Sequence, residues 1–107
     1  MAPKLRYEIY VPTLYNDKIP IEPQKYRTIK NRLQNEFGGL SVHPATVQGY
    51  WLNPHDGRFI SDNCYKYEIV VEKDPKNEKW FEDYKSELIL FLNQHKIFMI
   101  FTEINWV

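Results

Sequence analysis

Apolar and polar residues alternate near the start of the chain, and this alternation predicts a strand over residues 4–11. The apolar positions of this segment are Leu5, Tyr7, Ile9 and Val11. A period of two is typical of a strand with one buried face. Pro12 ends the predicted strand, because proline has no amide hydrogen for the ladder.

A spacing of three and four residues predicts a helix over residues 23–37. The apolar stripe of this helix consists of Tyr26, Ile29, Leu33 and Phe37. Pro23 suits a first turn, and Gly38 suits the left-handed position after the last turn. Asp74-Pro75 predicts the start of a second helix, which ends between Asn93 and Lys96.

Two strands, over residues 45–52 and 58–72, flank an Asp56-Gly57 turn and predict a hairpin. A two-residue turn at this point would direct Val47 and Trp51 away from the core. We therefore predict an odd-length loop or a bulge, with Gly57 as its left-handed residue. This register places four residues inward beside Tyr65 and Tyr67, namely Ala45, Val47, Gly49 and Trp51.

The closing strand begins at Ile97 and is apolar on both faces as far as Phe101. The order strand, helix, strand, strand, helix, strand predicts one α+β domain over residues 1–107. We expect a ferredoxin-like βαββαβ sandwich, with a four-stranded antiparallel sheet of order 4-1-3-2 and both helices on one face. The open face is predicted to carry cross-strand charge pairs among Arg6, Glu8, Lys66 and Glu68, with Tyr10 beside them.

Composition and charge narrow the function classes. Fourteen basic residues balance fourteen acidic ones, which disfavours nucleic acid as a partner. No apolar run approaches the roughly 20 residues that cross a bilayer, and no signal peptide is recognisable. A lone cysteine, Cys64, rules out an internal disulfide. We expect a soluble cytoplasmic protein with no membrane partner.

A set of spaced residues resembles a family of short, uncharacterised bacterial and archaeal proteins. That family has an FGG-[TS] segment after helix one, a G-x-W strand, an Asp that begins the third strand and a Gln before the last strand. The matching positions are Phe37, Gly38, Gly39, Ser41, Gly49, Trp51, Asp62 and Gln94. The resemblance covers residues 33–101 and implies a fold and a site, but no activity.

Three kinds of chemistry are disfavoured by the pattern. Tyr10 lies in a segment like the first strand of an RNA-recognition motif, but the third strand lacks outward stacking aromatics. The end of the first strand lacks the carboxylate of small metal-dependent ribonucleases, and Asp17 falls in a loop. The residues His43, His55, Asp56 and Asp62 do not have the spacing of a metal site, so we predict neither metal nor cofactor.

Trp51 and Asp62 are the best candidates for a ligand pocket, because a large amphipathic ring and an acceptor are typical of binding sites. His43, Tyr50 and Gln94 are further candidate ligand-binding residues, and no catalytic residue is assigned. A purely structural alternative remains. Trp51 would then seal the core, and Asp62 would cap the hairpin or bind the Gly38 and Gly39 amides. Gly38, Gly39, Gly49, Gly57 and Phe37 are predicted to be structural.

Two functions follow from this pattern. The first is a non-catalytic binding or accessory module for a protein or a small ligand. It would act as a homodimer through sheet faces or the closing strand. The alternative is a cofactor-independent enzyme of the dimeric α/β-barrel type that acts on a small organic molecule. Its candidate lining is Tyr10, His43, Tyr50 and Glu103. A closed cavity formed on dimerisation, with converging histidine and carboxylate groups, would favour the enzyme. A flat open face with its charges paired would favour the binding module.

Overall fold

The computed structural model describes residues 3–107, and within them an antiparallel sheet of five strands lies against two helices. The strands are β1 (Lys4–Pro12), β2 (Ser41–Val42), β3 (Val47–Leu52), β4 (Phe59–Glu72) and β5 (Phe98–Ile104). The helices are α1 (Pro23–Phe37) and α2 (Pro75–Phe91). The predicted α+β class, the two helices and the antiparallel sheet are confirmed.

The predicted count of four strands and the order 4-1-3-2 are wrong. The order is β2-β4-β1-β5, and β3 also pairs with β4. Ser41 and Val42 form a short strand of their own against Glu68 and Tyr67. The His43 amide still donates to the Lys66 carbonyl, but Pro44 has no amide hydrogen to donate, so the ladder stops before β3 begins.

Both helices pack on a single apolar cluster. It contains the inward side chains Leu5, Tyr7, Ile9 and Val11 of β1, Tyr67, Ile69 and Val71 of β4, Ile29 and Leu33 of α1, and Phe81, Tyr84 and Leu88 of α2. Tyr7 stacks on Phe81 with ring centroids 3.8 Å apart. The opposite face of the sheet has no helix over it among the described residues, and we call it the open face.

The helix ends follow local chemistry. The Asp74 side chain accepts a hydrogen bond from the Lys76 amide at 2.8 Å, as expected of an N-cap. Gly38 has a φ of +82° and donates its amide to the Gln34 carbonyl. Helix α2 ends at Phe91, earlier than predicted, because Asn93 adopts a φ of +46°, which is incompatible with a continued helix.

The hairpin register differs from the prediction. Leu52 pairs with Phe59, so the loop consists of residues 53–58, an even number. The Asn53 carbonyl accepts from the Gly57 amide, and the Asn53 side chain accepts from the His55 amide, both at 2.9 Å. Gly57 has a φ of +70°, which confirms the left-handed position.

This register reverses the predicted direction of β3. Val47 pairs with Cys64, whereas the next residue of β4, Tyr65, packs on the apolar cluster. Val47, Gly49 and Trp51 therefore point to the open face, since paired residues share a face. The inward placement predicted for these three residues is wrong, and Ala45 lies before the strand.

Candidate functional site

Trp51 and Asp62 reach the same face from the two strands of one hairpin. Strand β4 pairs with β1 only from Cys64 onwards, so the β3–β4 hairpin extends past the end of β1. Asp62 lies opposite Gly49, and Trp51 is two residues further along β3 on the same face.

Gly49 lets the Trp51 indole lie against the strand. A Cβ atom at position 49 would stand 2.8 Å from Cζ2 and 2.9 Å from Nε1 of the Trp51 ring. Non-bonded atoms repel one another at such short distances. The indole can therefore adopt this position only because residue 49 has no side chain.

Three aromatic rings line a cleft of about 380 Å³ at this end of the open face. The ring centroids of Trp51 and Phe98 are 5.0 Å apart, and those of Phe98 and Tyr10 are 5.1 Å apart. We call this the aromatic cleft; its other walls include Asp62, Cys64, Gln94 and Lys96. Its size and mixed lining are typical of small-molecule sites.

The polar groups of the aromatic cleft have distinct environments. Burial raises the pKa of the Asp62 carboxyl, and the Lys18 ammonium partly opposes this effect. Burial also raises the pKa of the Cys64 thiol to about 12, with a smaller contribution from Asp62. The thiol is therefore protonated at neutral pH and is a poor nucleophile. Gln94 donates its side-chain amide to the Leu14 and Leu92 carbonyls.

A row of charged side chains continues from the aromatic cleft along the open face. Lys66 is the cross-strand neighbour of Tyr10, and its Nζ lies 2.6 Å from Glu8 Oε1 and 3.2 Å from Glu68 Oε1. His43 Nε2 lies 3.3 Å from the same Glu68 oxygen. We call Glu8, His43, Lys66 and Glu68 the charged row.

Hydrogen bonds within the charged row favour the ionised forms of Lys66 and Glu68. Hydrogen bonds from Lys66 to Glu8 and to Glu68 raise the pKa of the ammonium. Burial opposes ionisation of Glu68, but hydrogen bonds from Lys66 and His43 outweigh it and lower the pKa of its carboxyl. The carboxylates of Glu8 and Glu68 thus share the Lys66 ammonium beside Tyr10.

Arg6 lies one strand repeat beyond Glu8 on the same face. It was predicted to pair with the neighbouring carboxylates, but it forms no ion pair within residues 3–107. Its Nε is buried and has no hydrogen-bond partner in that range. The predicted pairing holds for Glu8, Lys66 and Glu68 and fails for Arg6.

The structure brings together only some of the predicted site residues. Trp51, Asp62 and Gln94 line the aromatic cleft, whereas His43 belongs to the charged row. Tyr50 points to the opposite face of β3 from Trp51 and is 65% exposed. Asp62 is not the cap of the hairpin loop, where Asn53 accepts the hydrogen bonds.

Phe98 and three members of the charged row, Glu8, Lys66 and Glu68, were not predicted as site residues. Phe98 lies in a strand that is apolar on both faces, so the sequence pattern could not show which face of the sheet its side chain occupies. Its pairing with Tyr10 would have identified it, because Tyr10 was correctly predicted on the open face. The charges of Glu8 and Lys66 were interpreted as surface pairs, although Glu8 is only 8% exposed.

Residues 3–107 contain no metal-ligand cluster and no membrane-spanning helix, but they form a second depression. Nowhere in this range do three or more histidine, cysteine, aspartate or glutamate side chains converge as metal ligands would. None of the helices described has the length and apolarity needed to cross a membrane. A second depression, of about 370 Å³, lies between α1 and α2 beside Arg32, Tyr84 and Leu90.

Comparison with known proteins identifies a structural neighbour. No family model matches the chain, and no curated protein matches it by sequence. A solved structure of a phage SAM lyase in complex with S-methyl-5′-thioadenosine is similar in fold, with a TM-score of 0.70. The two chains are 13% identical, and the match covers 96% of this chain and 83% of the lyase.

This comparison corrects the first function predicted from the sequence. A non-catalytic module was expected, but the neighbour with the same fold is an enzyme. The enzyme alternative is the one that this finding favours. The resemblance to a family of short bacterial and archaeal proteins stays a prediction.

Proposed function

We propose that the chain is a lyase that acts on S-adenosylmethionine (SAM) and releases S-methyl-5′-thioadenosine. The observation that carries this proposal is the aromatic cleft on the open face, with Asp62 in its wall and the charged row beside it. The fold likeness to a phage SAM lyase supports it. The architecture we propose is ferredoxin-like, with β2 and β3 together in the place of one strand.

The aromatic cleft has the groups that an adenosyl sulfonium requires. Aromatic rings such as Trp51 and Phe98 stack on an adenine and attract a cation at their faces. A carboxylate such as that of Asp62 accepts hydrogen bonds from a ribose diol. The Glu8 and Glu68 carboxylates beside Tyr10 offer acceptors to a positively charged substrate that a neutral product does not use.

The reaction needs no external reagent, because the sulfonium already makes its neighbouring carbon electrophilic. The bond between sulfur and the aminobutyrate chain breaks, and its electron pair goes to sulfur as the neutral thioether forms. The four-carbon fragment either closes on its own carboxylate or loses a proton to form an alkene. Binding and orientation of the substrate are then the main contributions of the protein.

The test is incubation of the purified chain with SAM, followed by chromatography and mass spectrometry. We expect S-methyl-5′-thioadenosine and an equimolar four-carbon product, well above a sample without protein. Arg27→Gln, a change on the exposed side of α1, is the matched control and should retain the activity. No product above the protein-free rate from a folded chain would contradict the proposal.

Asp62→Asn separates a binding role from a structural one. The pKa of Asp62 is higher in the folded chain than in the unfolded chain. The ionised carboxylate therefore lowers the free energy of unfolding at a pH above the folded-state pKa. This loss disappears as the pH falls below the unfolded-state pKa. Asparagine avoids that loss, so we expect no decrease in thermal stability at pH 7. We expect about a tenfold weaker affinity for S-methyl-5′-thioadenosine, because a charged acceptor is lost. A large drop in melting temperature at pH 7 would indicate a structural role instead.

We also propose that the chain self-associates, with a homodimer as the simplest closed form. Strand β5 lies at the edge of the sheet and carries exposed apolar side chains on both faces. Phe98, on the open face, is 43% exposed, and Phe101, on the opposite face beside Tyr7, is 55% exposed. Ile97, in contrast, is 3% exposed and belongs to the core. Unpaired edges of this kind favour pairing. A single-chain mass by light scattering would contradict self-association.

A further inference from the structure

Arg6 is half-buried on the open face, forms no ion pair within residues 3–107, and has a buried Nε without a hydrogen-bond partner in that range. Arg6, Glu8 and Tyr10 succeed one another on the open face at intervals of about 6.6 Å, two residues of a strand. The arginine therefore lies beyond the charged row, which itself adjoins the aromatic cleft at Tyr10. An unsatisfied buried donor is costly, so each one requires an explanation, and a bound ligand, ion or water is among them.

The charged groups along the open face change from carboxylates near Tyr10 to a guanidinium further along β1. Next to Tyr10 the two carboxylates Glu8 and Glu68 share one ammonium, that of Lys66. The next position on β1 is Arg6, whose guanidinium remains cationic at all physiological pH values. A ligand group that is positive near the aromatic cleft and negative further away would complement both.

We propose that Arg6 and the charged row form a subsite for the α-amino-acid end of the substrate, with Arg6 on the carboxylate and Glu8 and Glu68 on the ammonium. This inference rests on the proposed function and assigns the two ends of the substrate to two different parts of the open face. The aromatic cleft holds the nucleoside, which substrate and product share. The Arg6 subsite holds the part that only the substrate has, so the thioether product is bound less tightly and leaves.

The experiment compares two thioethers by isothermal titration calorimetry. S-adenosylhomocysteine has the amino-acid end, S-methyl-5′-thioadenosine lacks it, and neither carries the sulfonium charge. We expect the wild-type chain to bind S-adenosylhomocysteine at least about tenfold more tightly, since charge-assisted hydrogen bonds are the strong ones. Arg6→Gln should reduce this difference by about tenfold without changing the affinity for S-methyl-5′-thioadenosine, because only the carboxylate contact is lost. Arg27→Gln should preserve both affinities.

A second ligand keeps the test decisive if Arg6→Gln does not fold. The carboxyl methyl ester of S-adenosylhomocysteine retains the ammonium and lacks the negative charge that Arg6 would bind. We expect the wild-type chain to bind this ester about tenfold more weakly than the free acid. Equal affinities for acid and ester would overturn the Arg6 subsite and leave the nucleoside site intact. Failure to bind either thioether would contradict the proposed function itself, and the subsite with it.

Discussion

Trp51→Ala is expected to weaken the binding of S-methyl-5′-thioadenosine by about 10- to 100-fold, in line with about 1–3 kcal/mol for stacking of a base on an aromatic ring. The indole is the largest ring of the aromatic cleft and contacts Phe98 directly. Turnover of SAM should fall at least as much, because the adenosyl group positions the reacting sulfur. Calorimetry and the product assay measure the two effects.

Trp106→Ala is the matched control for this substitution. Trp106 is 51% exposed after the end of β5 and lies over Lys4, away from the aromatic cleft. Its loss removes a ring of the same size without changing the proposed nucleoside site. If both tryptophan variants bound as the wild type does, or if both lost binding equally, the stacking role of Trp51 would be wrong.

Gly49→Ala is expected to displace the Trp51 indole and to weaken nucleoside binding by about tenfold or more, since most of the stacking energy depends on the position of the ring. The added Cβ would meet the ring at 2.8–2.9 Å, and the side chain is freer to move than the strand. The free energy of unfolding should fall by about 1–3 kcal/mol, as for other overpacked positions. Chemical denaturation and calorimetry follow the two changes.

The same substitution in a Trp51→Ala chain should have the opposite sign. Without the indole, the added methyl group meets no ring. Alanine leaves the unfolded chain fewer conformations than glycine does, so Gly49→Ala is expected to raise the free energy of unfolding by up to about 1 kcal/mol. Gly39→Ala is the glycine control, because no atom lies within 4 Å of a Cβ built there. A destabilising Gly49→Ala in both backgrounds would mean that the strand, and not Trp51, requires the glycine.

Periodicity predicted the helices and the buried faces, because these depend on local spacing. The alternation of Leu5, Tyr7 and Ile9 and the Gly38 position after α1 are both confirmed. The hairpin register was wrong because the apolar character of Trp51 was taken as a sign of burial in the core. Its ring is instead partly covered by Phe98 on the other side of the sheet, which is a tertiary contact that no local pattern encodes.

The sequence predicted only some of the residues that define the candidate site, among them one aromatic and one acidic residue. Trp51 and Asp62 were selected together, and both line the aromatic cleft. Phe98 depends on the pairing of two strands that are distant in sequence, and the charged row depends on how Lys66 distributes its hydrogen bonds. The direction of Tyr50 followed from the register, so the register error carried over to that residue.

A crystal structure of the chain with S-methyl-5′-thioadenosine tests the central claim most directly, namely that the open face is the substrate site. We predict the adenine against Trp51 and Phe98 and the ribose diol on Asp62, with the methylthio end directed towards Lys66 and Glu8. A nucleoside in the depression between α1 and α2, beside Tyr84 and Leu90, would contradict the account.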